Sequence, residues 1–256
     1  MRQAWASPSG PSTIMNRVVW SDSRSVYENL ALEERLMREL GEEEIILYLW
    51  INDSCVVLGS NQCAFLECDL RFCADNGIAV ARRLSGGGCV YQDAGNVNFS
   101  FIYRRTAGGG EPGRASAPGT GGSVPGLGGS PDRDGQDDRE QPGRCLLELV
   151  RKSLERLFPR SVEVSGNDLL IDGCKISGLA YCEEADKVLL HGTLMVDVDR
   201  ELMGRALTVS TKKLESKVVD SVAKRVANLS DWNREVTVEI IAEEISREFI
   251  LSLIHI

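Results

Sequence analysis

The chain has 256 residues, 43% of them hydrophobic, and a formal net charge of −9. This length supports one domain with a substantial core, and the acidic balance argues against non-specific binding of DNA or RNA. We therefore expect no nucleic-acid partner. We also expect no membrane-spanning segment, because no apolar run approaches the ~20 residues that span a bilayer.

Eight cysteines are dispersed along the chain without a Cys-x-x-Cys pair. This spacing argues against a metal site with cysteine ligands. Because the chain also shows no secretory signal, the free cysteines indicate a reducing compartment, the cytoplasm or alternatively the mitochondrion. Residues 1–16 are predicted to be a flexible N-terminus, either a weak organelle-targeting segment or sequence upstream of a start at Met15.

The first half of the chain predicts short helices and strands in alternation. Residues 26–40 place apolar side chains at helical spacing behind Ser25, a residue type that caps helices. The other elements predicted before residue 104 are strands at 45–50, 55–58, 78–82 and 98–103, and a helix at 65–75 that ends at Asn76-Gly77.

The second half begins with an abrupt change of composition. Residues 107–144 are dominated by Gly, Pro, Ser, Asp and Arg, which cannot bury enough apolar surface to order themselves, so a disordered insertion is predicted there. After it we predict helices at 145–158 and 237–250, with strands at 162–164, 169–171, 175–177 and 188–196 between them. Residues 251–256 are predicted to be a non-native tail, which leaves His255 without a role.

The order of these elements favours an α+β fold. Many short, hairpin-length links predict a mixed, largely antiparallel sheet flanked by helices, in preference to a doubly wound parallel sheet. Residues 17–250 then form one domain that the insertion interrupts.

The segment Arg82-Arg83-Leu84-Ser85-Gly86-Gly87-Gly88-Cys89-Val90-Tyr91 is a candidate binding loop. Three consecutive glycines lack Cβ atoms, so a ligand can lie against their backbone N–H groups. A row of amides beside guanidinium groups binds phosphate or carboxylate. The alternative interpretation is a plain glycine-rich turn between two strands.

Lys175 is the candidate cation of a second motif, residues 167–180, where it lies between a Gly turn and a Ser-Gly pair. A fixed ammonium there can neutralise charge while a carboxylate attacks a phosphate. Asn167 and Asp168 provide the hard oxygen ligands that Mg²⁺ prefers. The alternatives are a solvated lysine at a strand edge and an aspartate that serves only the turn.

Three further segments are weaker candidates. His191 lies in a strand-like run, where a histidine is either a catalyst or a packing residue. The polar turn at residues 59–62 can hydrogen-bond a nucleobase or a phosphate. The basic stretch at residues 213–229 can face an acidic partner or solvent.

Taken together, these motifs resemble the lipoate–protein ligase family. The resemblance rests on segments 27–34, 59–62, 82–93 with Asn96, 167–168 with 173–180, 191–194, and 216–217 through 228–229, which occur in the family's order. It covers residues 17–250 apart from the insertion, and it implies the catalytic-domain fold that biotin and lipoate ligases share. The family's reaction joins lipoate to AMP with release of pyrophosphate from ATP, and then transfers the lipoyl group to a lysine of a lipoyl domain.

The resemblance also implies roles for individual residues. Lys175 would be catalytic and would contact both the lipoyl carboxyl oxygen and the α-phosphate. ATP would be bound by Lys175 with Arg83, Gly86, Gly87, Gly88, Cys89, Val90, Tyr91 and Asn96, and lipoate by Lys175, Ser85 and His191. Asn167 and Asp168 would lie near the phosphates and Mg²⁺. The implied acceptors are lipoyl domains of the E2 subunits of 2-oxoacid dehydrogenases and the H protein of glycine cleavage.

The resemblance leaves several alternatives open. Fuller members of the family carry a small C-terminal domain that assists adenylate formation, whereas this chain ends after one catalytic-sized domain. The sequence is then truncated, or a partner subunit supplies the domain, or the protein only transfers preformed lipoyl groups. A lipoyl- or octanoyltransferase without ATP would use an activated cysteine such as Cys89, Cys174 or Cys182. A non-catalytic lipoyl-domain-binding protein is disfavoured, because the Gly loop and Lys175 are both present.

Overall fold

The computed structural model describes residues 15–105, 142–208 and 226–252. Most of the predicted insertion at 107–144 lies outside these ranges, as does most of the basic stretch at 213–229. The same holds for residues 1–14 and for residues 253–256 with His255.

Ten strands and six α-helices form the described part of the chain. The first range contains β1 (Met15–Trp20), α1 (Val26–Arg38), β2 (Glu44–Trp50), β3 (Cys55–Leu58), α2 (Ala64–Glu67), α3 (Leu70–Asp75), β4 (Ala79–Arg82), β5 (Val90–Gln92) and β6 (Asn96–Arg104). The second contains α4 (Pro142–Leu157), β7 (Val162–Ser165), β8 (Asp168–Ile171), β9 (Cys174–Glu184), β10 (Lys187–Met195) and α5 (Arg200–Ala206). The third contains a 3₁₀ turn (Leu229–Asp231) and α6 (Val238–Ser252).

Two sheets carry these elements. The larger sheet has seven strands in the order β1-β2-β6-β10-β9-β8-β7, and the smaller has three in the order β4-β3-β5. The pairs β1–β2 and β3–β4 are parallel, and the other strand pairs of these sheets are antiparallel. The predicted α+β fold, with a mixed and largely antiparallel sheet flanked by helices, is therefore confirmed.

The central strand β6 divides the larger sheet into two chemically different faces, because successive side chains of a strand point to opposite sides. Val97, Phe99 and Phe101 join the main core, which also contains residues of α4 and α6. On the opposite face, Ile102 packs with residues of α1 and β2, while Ser100 donates a hydrogen bond to a carboxylate of α1. The second face is therefore polar where α1 covers it.

One predicted helix is divided in the structure. Residues 65–75 form two helices, α2 and α3, instead of one. Cys68 between them is extended and makes a β-bridge with Leu207, and the Asp69 side chain accepts the N–H of Phe72 at 2.8 Å. An aspartate in that position begins a new helix, so the prediction of one continuous helix was wrong.

Several predicted boundaries also shift. Residues 15 and 16 belong to β1 and not to a flexible N-terminus, and α4 begins at Pro142, inside the predicted insertion. Proline fits the first turn of a helix because the N–H that it lacks has no partner there. Residues 251 and 252 of the predicted tail continue α6.

All eight cysteines lie in the described part, and each is a free thiol. Across the described ranges, no three His, Cys, Asp or Glu side chains are grouped as metal ligands. None of the helices found there is long and apolar enough to cross a membrane.

Gly95 is expected to be required for the turn between β5 and β6. A Cβ atom at this position would lie 2.1 Å from the backbone oxygen of Asp197, which cannot move away as a flexible side chain can. We expect Gly95→Ala to lower the free energy of unfolding by about 1–3 kcal/mol, the usual cost of overpacking, in a urea denaturation experiment.

Gly204 provides the matched control. No heavy atom lies within 4 Å of the position that its Cβ would take, and the residue is within α5. Because glycine destabilises helices, Gly204→Ala should raise the free energy of unfolding by roughly 0.5–1 kcal/mol. Changes of the same sign in both variants would contradict this explanation.

Candidate functional site

The candidate site lies on the face of the larger sheet that α1 covers. Two rows of register partners cross strands β2, β6, β10 and β9 on this face, and together we call them the site face. The first row is Tyr48, Ser100, His191 and Ala180, and the second row is Trp50, Asn98, Thr193 and Gly178.

The Gly loop, residues 85–88, is held in shape by the buried guanidinium of Arg83. Its Nη2 donates to the backbone oxygens of Gly86 at 2.6 Å and Gly88 at 2.8 Å, and its Nη1 donates to that of Val57 at 3.2 Å. Burial lowers the pKa of this guanidinium. The buried Arg83 therefore supports the conformation of the loop backbone from the protein interior. Its direct contact with ATP stays a prediction.

Glycine is required at two positions where the loop makes close contacts. Gly87 has φ of +93°, and its Cβ would lie 3.8 Å from Cβ of Ala180, so the loop lies against strand β9. A Cβ at Gly59 would lie 2.3 Å from the backbone oxygen of Gly87. The polar turn at residues 59–62 therefore supports the Gly loop from one side.

A hydrogen-bonded chain joins the Gly loop to the sheet and to α1. Arg83 Nε donates to Ser85 Oγ at 2.9 Å, and Ser85 Oγ lies 2.7 Å from His191 Nε2. His191 Nδ1 lies 2.8 Å from Glu33 Oε1, and Ser100 also donates to this carboxylate. The structure thus brings together the predicted residues Arg83, Ser85 and His191.

Glu33 is a site residue that the sequence analysis missed. It is 1% exposed, although it is charged and lies on a helix. The available signal was the buried stripe of α1, in which Asn29 and Glu33 take positions of the same spacing as Val26, Leu36 and Met37. An acidic side chain on such a stripe needs a polar partner.

Lys175 and Asp168 meet at the other end of the site face. Lys175 Nζ lies 2.8 Å from Asp168 Oδ1 and 3.1 Å from the position that a Cβ of Gly178 would take. The lysine side chain therefore crosses the site face at Gly178, where any larger residue would displace it. Asn167 is adjacent, and its backbone oxygen accepts the N–H of Leu179 at 2.7 Å.

The ammonium and the Gly loop are close neighbours. Gly178 and Ala180 are alternate residues of β9, so their Cα atoms are about 6.6 Å apart. Lys175 lies against the first of these residues and Gly87 against the second. A fixed cation and a row of backbone groups therefore flank one short stretch of β9.

Asn96 has a structural role in the turn between β5 and β6. Its Oδ1 accepts the N–H of Asp93 at 2.9 Å, and its Nδ2 donates to Thr193 Oγ1 at 3.1 Å. The side chain is fully buried. Its contact with ATP stays a prediction, since these bonds already engage both ends of its amide.

The residues after the Gly loop use their side chains for packing. Cys89 and Tyr91 belong to an apolar cluster with Val56, and Val90 packs against a second cluster that contains Val57. If Cys89, Val90 and Tyr91 contact ATP as predicted, they would do so through their backbone groups. No observation tests that prediction.

The thiols of Cys89 and Cys182 are poorly suited to nucleophilic chemistry. Burial raises the pKa of each to about 12, because the low-dielectric surroundings disfavour the thiolate. The thiolate is the nucleophilic form of cysteine, so this shift works against a nucleophilic role for either side chain near neutral pH.

Comparisons with known proteins identify the family of this chain. Residues 25–113 and 131–250 match the family model of the lipoyl protein ligase A/B catalytic domain. The chain is 35% identical over 205 residues to lipoate-protein ligase LplJ of Bacillus subtilis, which covers 80% of this chain and 53% of the relative. It is 34% identical over 220 residues to lipoate-protein ligase A of Bdellovibrio bacteriovorus, which covers 84% and 55% respectively. The chain therefore spans about half the length of these relatives.

Solved structures show the same fold. P. falciparum LipL1 in complex with lipoate has a TM-score of 0.68 and 25% identity, over 92% of this chain and 61% of that one. The bi-partite lipoate protein ligase of Thermoplasma acidophilum, described with its E2 lipoyl domain, has a TM-score of 0.66 and 25% identity, over 94% and 83%. These similarities confirm the predicted ligase fold. With a family model matched over most of its length, the chain belongs to the lipoate–protein ligase family.

Proposed function

We propose that this chain activates lipoate with ATP and transfers the lipoyl group to a lysine of a lipoyl domain. The observation that carries the proposal is that Lys175 and the Gly loop lie against two nearby residues of β9, Gly178 and Ala180. LipL1 of P. falciparum, which is similar in fold, binds lipoate. The names of the curated relatives point to the same reaction class.

In the first step of the proposed reaction, a carboxylate oxygen of lipoate attacks the α-phosphorus of ATP, and pyrophosphate leaves. Two anions must approach each other, so a fixed cation between them lowers the barrier. Lys175 provides that cation, and its ion pair with Asp168 at 2.8 Å fixes its position. Backbone N–H groups of the Gly loop bind the phosphates.

In the second step, the neutral amine of the acceptor lysine attacks the carbonyl carbon of lipoyl-adenylate. The bond to the phosphate oxygen breaks, AMP leaves, and the proton lost by the amine passes to solvent. Lys175 stabilises the negative charge that develops on the carbonyl oxygen and on the departing phosphate. Because the adenylate is held in place, orientation supplies much of the acceleration.

In this proposal Mg²⁺ would bind together with the phosphates of ATP. Magnesium sites of this kind usually combine one or two carboxylates with substrate phosphates and water. Asp168 would supply such a carboxylate, because its side chain is partly exposed and lies where the phosphates are proposed to bind. Asn167 would add a neutral oxygen.

A further domain or subunit is part of the proposal, since the chain spans about half the length of its curated relatives. The archaeal ligase with the same fold is bi-partite. We expect the described fold to carry acyl transfer, and a second part to assist adenylate formation. The acceptors would be E2 subunits and the H protein.

The reaction itself can be tested by lipoate-dependent exchange of pyrophosphate into ATP, followed by transfer to a lipoyl domain. Exchange and transfer by the purified chain would support a complete ligase. Transfer only from supplied lipoyl-adenylate would support the need for a second part. The absence of both activities would contradict the proposed function.

Lys175→Ala is expected to reduce exchange and transfer at least about 100-fold, the usual loss when one charge-stabilising donor is removed. The free energy of unfolding should remain close to that of the wild type, because the lysine side chain lies across the surface of Gly178 and not in a core. Both quantities can be measured on the same preparation.

Lys187→Ala is the matched control, since Lys187 also lies on a strand of the larger sheet but contacts the backbone of Arg38. It should retain wild-type activity. Near wild-type turnover in Lys175→Ala, or equal losses in the two variants, would refute the role of Lys175.

The cysteine-dependent alternative predicts a different outcome. Because the pKa of Cys89 and of Cys182 is raised to about 12, the thiols stay protonated and their thiolate fraction increases only at strongly alkaline pH. We expect the triple variant Cys89→Ala, Cys174→Ala, Cys182→Ala to transfer lipoyl groups at the wild-type rate, with an unchanged pH profile. Detection of a thioester on any of the three cysteines in the wild-type chain by mass spectrometry would contradict this expectation.

A further inference from the structure

A second guanidinium group, that of Arg82, contacts the backbone beside the Gly loop. Its Nη1 donates to the oxygens of Gly59 at 2.8 Å, Ser60 at 3.1 Å and Gln62 at 2.8 Å. These oxygens belong to the polar turn at residues 59–62, which follows β3. Arg82 is the last residue of β4, the parallel neighbour of β3, so its side chain reaches the turn across the ends of two paired strands.

The polar turn lies directly against the Gly loop. The N–H of Ser60 donates to the backbone oxygen of Ser85 at 2.9 Å. A Cβ at Gly59 would lie 2.3 Å from the backbone oxygen of Gly87 and 3.2 Å from the carbonyl carbon of Gly86. No side chain fits between these two backbones, and neither can give way as a flexible side chain can. A shift of the polar turn would therefore displace the Gly loop.

The contacts of the Gly loop oxygens determine where its N–H groups point. The oxygens of Gly86 and Gly88 accept from the buried Arg83. The peptide bonds here are trans, and the N–H of a trans peptide points away from its C=O. The N–H groups of Gly87 and Cys89 therefore point away from Arg83. They are the groups that would bind the phosphates of ATP.

We propose that Arg82 is a positioning residue for ATP, a role that rests on the proposed function. It holds the polar turn against Gly87, and the turn keeps the N–H groups of the Gly loop directed at the phosphates. Arg83 supports the loop from the interior, and the exposed Arg82 supports it through the turn. Both guanidinium groups that the sequence suggested as anion ligands thus contact carbonyl oxygens of the protein.

A positioning role and a direct contact with phosphate make different demands on the side chain. A single nitrogen of Arg82 makes all three contacts with the turn. A lysine ammonium has three N–H donors on one nitrogen, so Arg82→Lys should keep most of the function. Arg82→Met keeps a long side chain without donors, and it should release the turn.

The test is the dissociation constant for ATP with Mg²⁺ and, separately, that for lipoate, both measured by calorimetry on the purified chain. Arg82→Met should weaken ATP binding about tenfold, the effect of losing hydrogen bonds from a charged donor. The constant for lipoate should change by less than about twofold, because its carboxylate is proposed to lie at Lys175. Arg82→Lys should bind ATP within about threefold of the wild type.

Gln62→Ala is a second variant, which loosens the same turn without removing a charge. Gln62 Oε1 accepts the N–H of Gly59 at 2.8 Å, so its loss should weaken ATP binding about threefold. Arg71→Met is the matched control for the arginine substitution. Arg71 is exposed on α3, where it lies 3.8 Å from Asp75. This variant should leave both dissociation constants unchanged.

Hydrogen exchange separates a loss of position from a general loss of stability, because it reports local opening segment by segment. In Arg82→Met, peptides that contain residues 59–62 and 85–88 should exchange at least about threefold faster than in the wild type. Peptides from β6, which packs into the main core, should exchange at the wild-type rate.

Several results would overturn the inference and leave the proposed function intact. They are unchanged ATP binding in Arg82→Met, equal weakening of ATP and lipoate binding, and faster exchange in β6. Weak ATP binding in Arg82→Met with wild-type binding in Gln62→Ala would also overturn it, in favour of a direct contact between Arg82 and ATP. Failure of the wild-type chain to bind ATP or lipoate would overturn the proposed function and this inference together.

Discussion

The hydrogen-bonded chain from Glu33 through His191 and Ser85 to Arg83 fixes the arrangement of the rest of the site. A buried carboxylate and a buried guanidinium are costly unless each is paired, so α1, β10 and the Gly loop have to meet in one geometry. The backbone oxygens of Gly86 and Gly88 complete the pairing of Arg83. The shape of the Gly loop is thus set by the interior of the domain as well as by its own glycines.

The two faces of β6 separate stability from chemistry. Val97, Phe99 and Phe101 pack into the main core with α4 and α6, whereas Asn98 and Ser100 point to the site face. The period of two along a strand makes this separation possible within consecutive residues. The strand holds the polar groups of the site rigidly because its other face is packed.

Local signals in the sequence predicted much of the fold and part of the site. The strand at residues 55–58, the cap at Ser25 and the Gly loop follow from patterns within a few residues, and the structure has all three. Glu33 was missed because its partner His191 lies 158 positions away. The division between α2 and α3 depends on the distant bridge from Cys68 to Leu207 and also on the local cap at Asp69, a signal that the sequence analysis did not use.

The place where the chain leaves β6 has a practical consequence. Arg105 follows β6 at the end remote from Asn96, and a Cβ at Gly143 would lie 2.8 Å from the hydroxyl of Tyr103, so α4 begins beside that same end. At ~3.4 Å per residue, Arg104 is about 20 Å from Asn98. A segment that connects β6 to α4 therefore starts and ends at a distance from Asn98. For an engineer, this junction is the natural position for a fluorescent label, an affinity tag or a tethered acceptor domain.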